Sequence, residues 1–195
     1  MKISEIELPP IIGVMGVARS GKDTFCKLAN IILSKNEKCK IMRAGFADSV
    51  KGDLHRLLVE KVGISAYTEI PDEKELIRPL MVEYGTNLMR KINEDVWINR
   101  MKPNLDLAKT LNACLCITDV RYENEALFIK GNGGNLVYVE QEGCEPINEE
   151  EEKNDPRLRL MADVNVKWKK VGDDKILSLK PKVTKALKVL SCNKK

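Results

Sequence analysis

Aromatic residues are scarce in this chain of 195 residues: phenylalanine, tryptophan and tyrosine together make up 5%. So few flat rings speak against the stacking platforms that hold single-stranded nucleic acid. Histidine occurs once, as His55, in a helical run where a surface or capping role suits it better than catalysis. The six cysteines (Cys26, Cys39, Cys114, Cys116, Cys144, Cys192) contain no CxxC pair, and no metal-ligand spacing surrounds the histidine. They read as free, small apolar residues of a cytoplasmic chain. No apolar run approaches the ~18 residues of a membrane span. The opening MKISEIELPP has no apolar core of the kind a secretory signal needs. Internal repeats and low-complexity linkers are absent too, so a single domain over 1–195 is expected, without a membrane partner.

A hydrophobic fraction of 43% and a charged fraction of 32% describe a soluble globular chain. The net charge of +4 is unevenly placed, with an acidic run at Glu149–Glu152 and lysines crowded between Lys167 and Lys195. Solvated faces explain this better than a surface for a nucleic-acid polymer. A basic surplus also suits a protein that handles polyphosphates.

Short apolar stretches alternate with helical ones. IIGVMG, CKIMRAGF, ACLCITDV, NLVYVEQ and VNVKWKKV read as strands. Helices are expected over KDTFCKLANIILSK, over ADSVKGDLHRLLVEKVG up to Gly63, and over NEALFIKGNGG. Three more carry expected breaks. DEKELIRPLMVEYGTNLMRKI is interrupted at Arg78-Pro79 and near Gly85, EDVWINRMKPNLDLAKTL near Pro103, and DDKILSLKPKVTKALKVL at Pro181. This alternation predicts an α/β fold, a parallel central sheet flanked by helices in three layers. The polar segment 140–163, with Gly143, Pro146 and Pro156, reads either as a lid or flap or as a plain surface excursion.

Gly16-Val17-Ala18-Arg19-Ser20-Gly21-Lys22 matches GxxxxGK between a predicted strand and a predicted helix, which is where a phosphate-binding P-loop belongs. Glycines let the backbone wrap so that successive N–H groups converge on phosphate oxygens, and the helix N-terminus adds partial positive charge. Lys22 is expected to reach the outer phosphates. The next position, usually a Ser or Thr that holds magnesium, is Asp23, with Thr24 one residue later. Either of them, or Asp119 at the end of the ACLCITD strand, is a candidate to hold Mg2+ directly or through water. Arg121 follows at the same sheet edge, with a structural salt bridge as the rival explanation.

With FADSVK, RPLMVEYGTNLMRKINEDVWINRM and ITDVRYENEA in the expected order after the loop, the chain resembles the deoxynucleoside monophosphate kinases of bacteriophages. The resemblance runs from about Ile11 to Gly134 and more loosely beyond. It implies the P-loop kinase fold, ATP as donor, Mg2+ as cofactor, deoxynucleoside monophosphates as acceptors, and the host cytoplasm as the place of action for a viral protein. It implies that Gly16, Ala18, Arg19, Ser20, Gly21, Lys22, Asp23 and Thr24 bind the donor, and that Lys22, Arg90, Arg121 and Asp119 serve the transfer. Asp48, Lys51, Arg78, Gly85, Thr86 and Arg90 would form the acceptor site, and Arg157 and Arg159 would stand in the lid. Trp97 is expected to pack beneath the acceptor. Animal phosphomevalonate kinases are similar over the same stretches, so another phosphorylated metabolite is the competing acceptor. A nucleotide-binding module without turnover is the other alternative. The sequence admits a homodimer.

Overall fold

Five short strands carry the architecture: β1 (Ile11–Met15), β2 (Lys40–Ala44), β3 (Ala113–Ile117), β4 (Asn135–Gln141) and β5 (Val164–Trp168). The computed structural model describes residues 2–34, 36 and 39–192. In it the strands form one sheet in the order β2-β3-β1-β4-β5, with every neighbouring pair parallel. Parallel neighbours need long crossovers. The helix α1 (Lys22–Leu33) links β1 to β2, and α2 (Phe46–Val62), α3 (Pro71–Val82) and α4 (Val96–Thr110) lie between β2 and β3. After β3 come α5 (Glu123–Gly131), leading to β4, and α6 (Glu149–Met161), leading to β5; α7 (Lys180–Cys192) follows.

Side-chain alternation along the strands makes the layers. Ile12 and Val14 of β1, Cys114 and Cys116 of β3, and Val137 and Val139 of β4 share one core with Phe25, Leu28 and Leu33 of α1 and Val183, Leu187 and Leu190 of α7. The intervening residues face the opposite way. There Gly13 has no Cβ, and Ile129 of α5 closes onto the strand in the space. The expected three-layer α/β arrangement is what the chain forms. The central strand β1 is buried along its whole length, whereas the edge strand β5 alternates, with Asn165 and Lys167 exposed. Lys182 of α7 donates to the Lys167 carbonyl at 2.6 Å; lysine at a sheet edge discourages further strand pairing.

By internal packing the chain divides into two compact units, Met1–Ala44 with Pro103–Lys195, and Gly45–Lys102. No change of composition marks either boundary in the sequence. Among the described residues no helix is long and apolar enough to cross a membrane. The described cysteines are free thiols, four of them buried.

The proline breaks turn out differently from expectation. Helix α4 continues through Pro103, and α3 through Pro79 as far as Val82. Both prolines are exposed, so water can take the carbonyl that each leaves without a donor. The interruption comes later, as a π-helix over Glu83–Arg90 that contains Gly85. Only Pro181 marks a real junction, in the first turn of α7 after a 3-10 stretch, Asp173–Leu179. Within 140–163 the chain is largely helical: Asn148 caps α6 by accepting the Glu151 N–H at 2.8 Å, and Leu158 is buried. Four consecutive glutamates mask any apolar period there, yet they suit the first turn of a helix.

Gly134, immediately before β4, is a glycine that the sheet tolerates poorly to lose. A Cβ there would meet the Ile11 carbonyl oxygen at 2.6 Å, which is backbone and cannot step aside. Gly134→Ala should therefore destabilise the chain by roughly 1–3 kcal/mol. Gly131→Ala, with nothing within 4 Å of its Cβ, should be neutral or stabilising by up to about 1 kcal/mol. Urea unfolding midpoints of the two variants check this.

Candidate functional site

The turn between Met15 and Lys22 is the one that the GxxxxGK spacing predicts. Gly16, Arg19 and Gly21 have φ of 132°, 63° and 92°, in the range that favours glycine. Space as well as torsion requires the two glycines. A Cβ on Gly16 would lie 2.2 Å from the Val139 carbonyl oxygen, and one on Gly21 would lie 2.8 Å from the Trp168 ring. Trp168, the last residue of β5, is buried, and its Nε1–H donates to the Ser20 carbonyl at 3.0 Å. Thus β4 and β5 brace the loop from outside. Sequence reasoning missed Trp168, for which the only signal is an aromatic ring ending a strand. The Ser20 hydroxyl is buried and has no hydrogen-bond partner among the described residues.

Lys22 folds back over the loop, donating to the carbonyls of Gly16 at 2.7 Å and Val17 at 2.8 Å. Burial, with the Arg121 guanidinium beside it, lowers its pKa to about 8 against the opposing pull of Glu151, Asp119 and Asp23. These charges therefore share one neighbourhood. Arg121 follows β3 in a turn fixed from within. The carboxylate of Glu125, buried in α5, accepts the N–H groups of Arg121 at 2.8 Å and Tyr122 at 3.2 Å. Asp119 is half-buried on the same connection.

An acidic residue absent from the sequence-based list completes the group. Glu151 of α6 accepts the Ala18 N–H at 3.1 Å and stands 3.4 Å from Arg121. A backbone N–H of the loop thus already holds an anion. Sequence reasoning took the run Glu149–Glu152 as a solvated face; nothing in four adjacent glutamates says which one turns inward.

Asp23 is exposed and pairs with Arg43 at 3.4 Å, while Thr24 is half-buried. Among the described residues no three His, Cys, Asp or Glu gather as a metal cage. An ion that keeps water and substrate phosphates in its shell needs no such cage. The two expected lid arginines are engaged elsewhere. Arg157 pairs with Glu123 at 3.5 Å, and Arg159 pairs with Glu140 at 3.0 Å while stacking 4.6 Å from the Tyr138 ring. Burial and the neighbouring Asp155 push the Tyr138 hydroxyl up to about 12, so at neutral pH it donates to that carboxylate, at 2.6 Å.

The expected acceptor residues, Asp48, Lys51, Arg78, Gly85, Thr86 and Arg90, all belong to the second unit. Gly85, Thr86 and Arg90 lie on the π-helix, a geometry that is rare and frequent at functional sites. Trp97 is buried and its Nε1–H donates to the Gly85 carbonyl at 3.0 Å. A Cβ at Gly85 would lie 3.2 Å from Val50 of α2, so this wall is tight. Asp53 accepts from Tyr84 at 2.8 Å and from Arg100, whose guanidinium lies 5.1 Å from the Trp97 ring. Lys51 faces the Tyr67 ring at 5.8 Å, and Arg78 is exposed.

Because folding lowers the Lys22 pKa from 10.5 to about 8, its buried charge costs stability below about 8. That cost is lifted as pH rises from about 8 toward 10.5, where only the unfolded chain still holds the proton. The wild-type chain should gain stability relative to Lys22→Met as pH is raised through this window. Paired urea unfolding series at several pH values measure the difference, and a difference that stays constant would contradict the shift.

No family model matches the chain. Over 155 residues it is 28% identical to a protein of Acanthamoeba polyphaga mimivirus named provisionally as a deoxynucleotide monophosphate kinase, covering 68% of this chain and 75% of that one. Among solved structures, the shikimate kinase of Aquifex aeolicus vf5 aligns with a TM-score of 0.43 and 17% identity, over 90% of this chain and 97% of that one. TT1252 from Thermus thermophilus aligns with a TM-score of 0.39 and 17% identity, over 92% and 98%. At such scores these two likenesses carry no argument, and the fold rests on the strand order described above.

Proposed function

We propose that this chain is a phosphotransferase that moves the terminal phosphoryl group of ATP onto deoxynucleoside monophosphates. The observation that carries the phosphate half of this reading is the loop itself. Its Ala18 N–H holds a carboxylate, with Lys22 folded over it and Arg121 beside it. Donors so arranged suit an anion of any kind, and a glycine turn opening a helix suits phosphate in particular. The similarity to the mimivirus protein supports the acceptor half.

Transfer of this kind proceeds through a loose transition state, so alignment and positive charge do most of the catalysis. Lys22, charged below about 8, would exchange its two loop carbonyls for donor phosphate oxygens and follow the charge as it moves. Arg121 would add a second cation at the same strand ends. Asp23, Thr24 or Asp119 would hold magnesium, directly or through water, and that ion when bound offsets the charge of the donor phosphates. The acceptor phosphate is itself a competent nucleophile at neutral pH, so no residue is assigned as a strong base. Arg78 and Arg90 would fix that phosphate through the planar fork of the guanidinium. Asp48, Lys51, Gly85 and Thr86 would shape the rest of the acceptor site. Water must be excluded, because hydrolysis competes with transfer; as lid residues Arg157 and Arg159 would have to leave Glu123 and Glu140 to reach the phosphates.

A panel of ribo- and deoxynucleoside monophosphates, with phosphomevalonate included, tests the acceptor class by ATP-dependent ADP release. Turnover confined to phosphomevalonate would replace the nucleotide reading, and no turnover with any acceptor would defeat the transferase. Within the panel, Arg90→Ala should lower kcat/KM for the preferred acceptor while leaving ATP affinity nearly unchanged. A charge-assisted contact of roughly 1.5–3 kcal/mol corresponds to a loss of about ten- to a hundredfold. Arg90→Lys should recover only part of it, since ammonium keeps the charge without the fork. Silent variants would remove Arg90 from the site.

A further inference from the structure

Glu151 is a largely buried carboxylate to which the proposed reaction gives no role. Its side chain is 9% exposed, although it belongs to a helix whose first turn is otherwise mostly solvated. One oxygen accepts from Ala18 at 3.1 Å and from Ile147 at 3.3 Å; the other faces Arg121 at 3.4 Å. A loop N–H and an arginine are the partners that a phosphate oxygen would also take. The cleft next to it, walled by Gly16, Val17, Arg121 and Leu158, amounts to about 10 Å³. That is room for about one water, not for a phosphate.

We infer that Glu151 is a built-in competitor for the phosphate-binding loop: docked α6 fills the anion position with this carboxylate, and a polyphosphate binds only when α6 gives the contact up. The inference rests on the phosphate-binding reading of the loop. The connection 142–148 has no regular structure and includes Gly143 at φ 79°, so α6 has slack at its N-terminal end. The same connection touches the loop a second time, where the Cys144 thiol donates to the Arg19 carbonyl at 3.5 Å. Farther along α6, Asp155 and Leu158 anchor the helix against β4 and the core. Clearing the loop then asks only the first turn to move, which also gives up the hydrogen bond that Glu150 accepts from the Tyr122 hydroxyl at 2.6 Å. Helix capping explains why α6 starts with acids. It does not explain why Glu151 reaches out of its own helix to Ala18 and Arg121.

The test uses the full chain and inorganic tripolyphosphate, titrated by calorimetry. Glu151→Gln keeps the shape and removes the charge, so the Kd should fall about tenfold as the self-occupied state is lost. Glu151→Asp, which keeps the acid but withdraws it by one methylene, should also bind more tightly than wild type. Glu152→Gln, on the exposed side of the same turn, should change the Kd by less than about twofold, since exposed charge is largely screened. If neither Glu151 variant binds more tightly than wild type while wild type does bind, the inference falls and the loop assignment stands. Equal tightening by Glu152→Gln would reduce the effect to general charge and overturn the competitor. Tripolyphosphate bound by none of the proteins would sink the loop assignment, and the inference with it.

Discussion

The site in the first unit depends on how closely one turn of backbone lies against two strands. At Gly16 the chain passes the Val139 carbonyl of β4 so nearly that no Cβ fits, and at Gly21 it passes the Trp168 ring of β5 in the same way. Trp168 also binds the Ser20 carbonyl through its indole N–H. These contacts orient the loop before any ligand arrives. Pre-organisation of that kind matters because donors already in place cost no rearrangement when charge develops. The sheet order supplies the contacts: β4 and β5 lie to one side of β1, where Val139 and Trp168 meet its turn.

Charge in this neighbourhood is held in balance by desolvation and pairing. Lys22 is buried enough to lose much of its hydration, and Arg121 nearby adds repulsion, so the lysine holds its proton less firmly than usual. Glu151 answers both cations and takes the Ala18 N–H as well. Left bare, the donors and cations gathered at this loop would sit partly desolvated without partners, which is unfavourable. The protein's own carboxylate meets that need.

The second unit solves a separate problem, that of making a firm wall from a helix. Residues Glu83–Arg90 take the wider π turn, which gives up regular i→i+4 bonding. Trp97 compensates by donating to the Gly85 carbonyl, and Val50 packs where Gly85 has no side chain. Asp53 gathers Tyr84 and Arg100 into one hydrogen-bonded set beside it. Widening the helix changes which side chains share a face, and that change rotates Arg90 relative to any reading that counts by 3.6.

Much of the first unit was legible because its signals are local. Apolar runs of strand length and the glycine spacing around Lys22 depend on neighbours in sequence, and each appears where the chain pattern puts it; in the second unit the cap at Gly63 is local in the same way. The proline positions misled, because a proline in an exposed helix loses one hydrogen bond to water and need not end the helix. Other features were not legible at all. The pairing of Trp168 with Ser20, 148 residues apart, and the choice of Glu151 from four adjacent glutamates arise only when distant strands and helices meet. The sequence by itself determined the strand-turn-helix around Lys22, since torsion and hydrogen bonding there are set by the residues present. Only the tertiary structure decided what braces that turn and what occupies it, because burial and long-range pairing are properties of the packed chain.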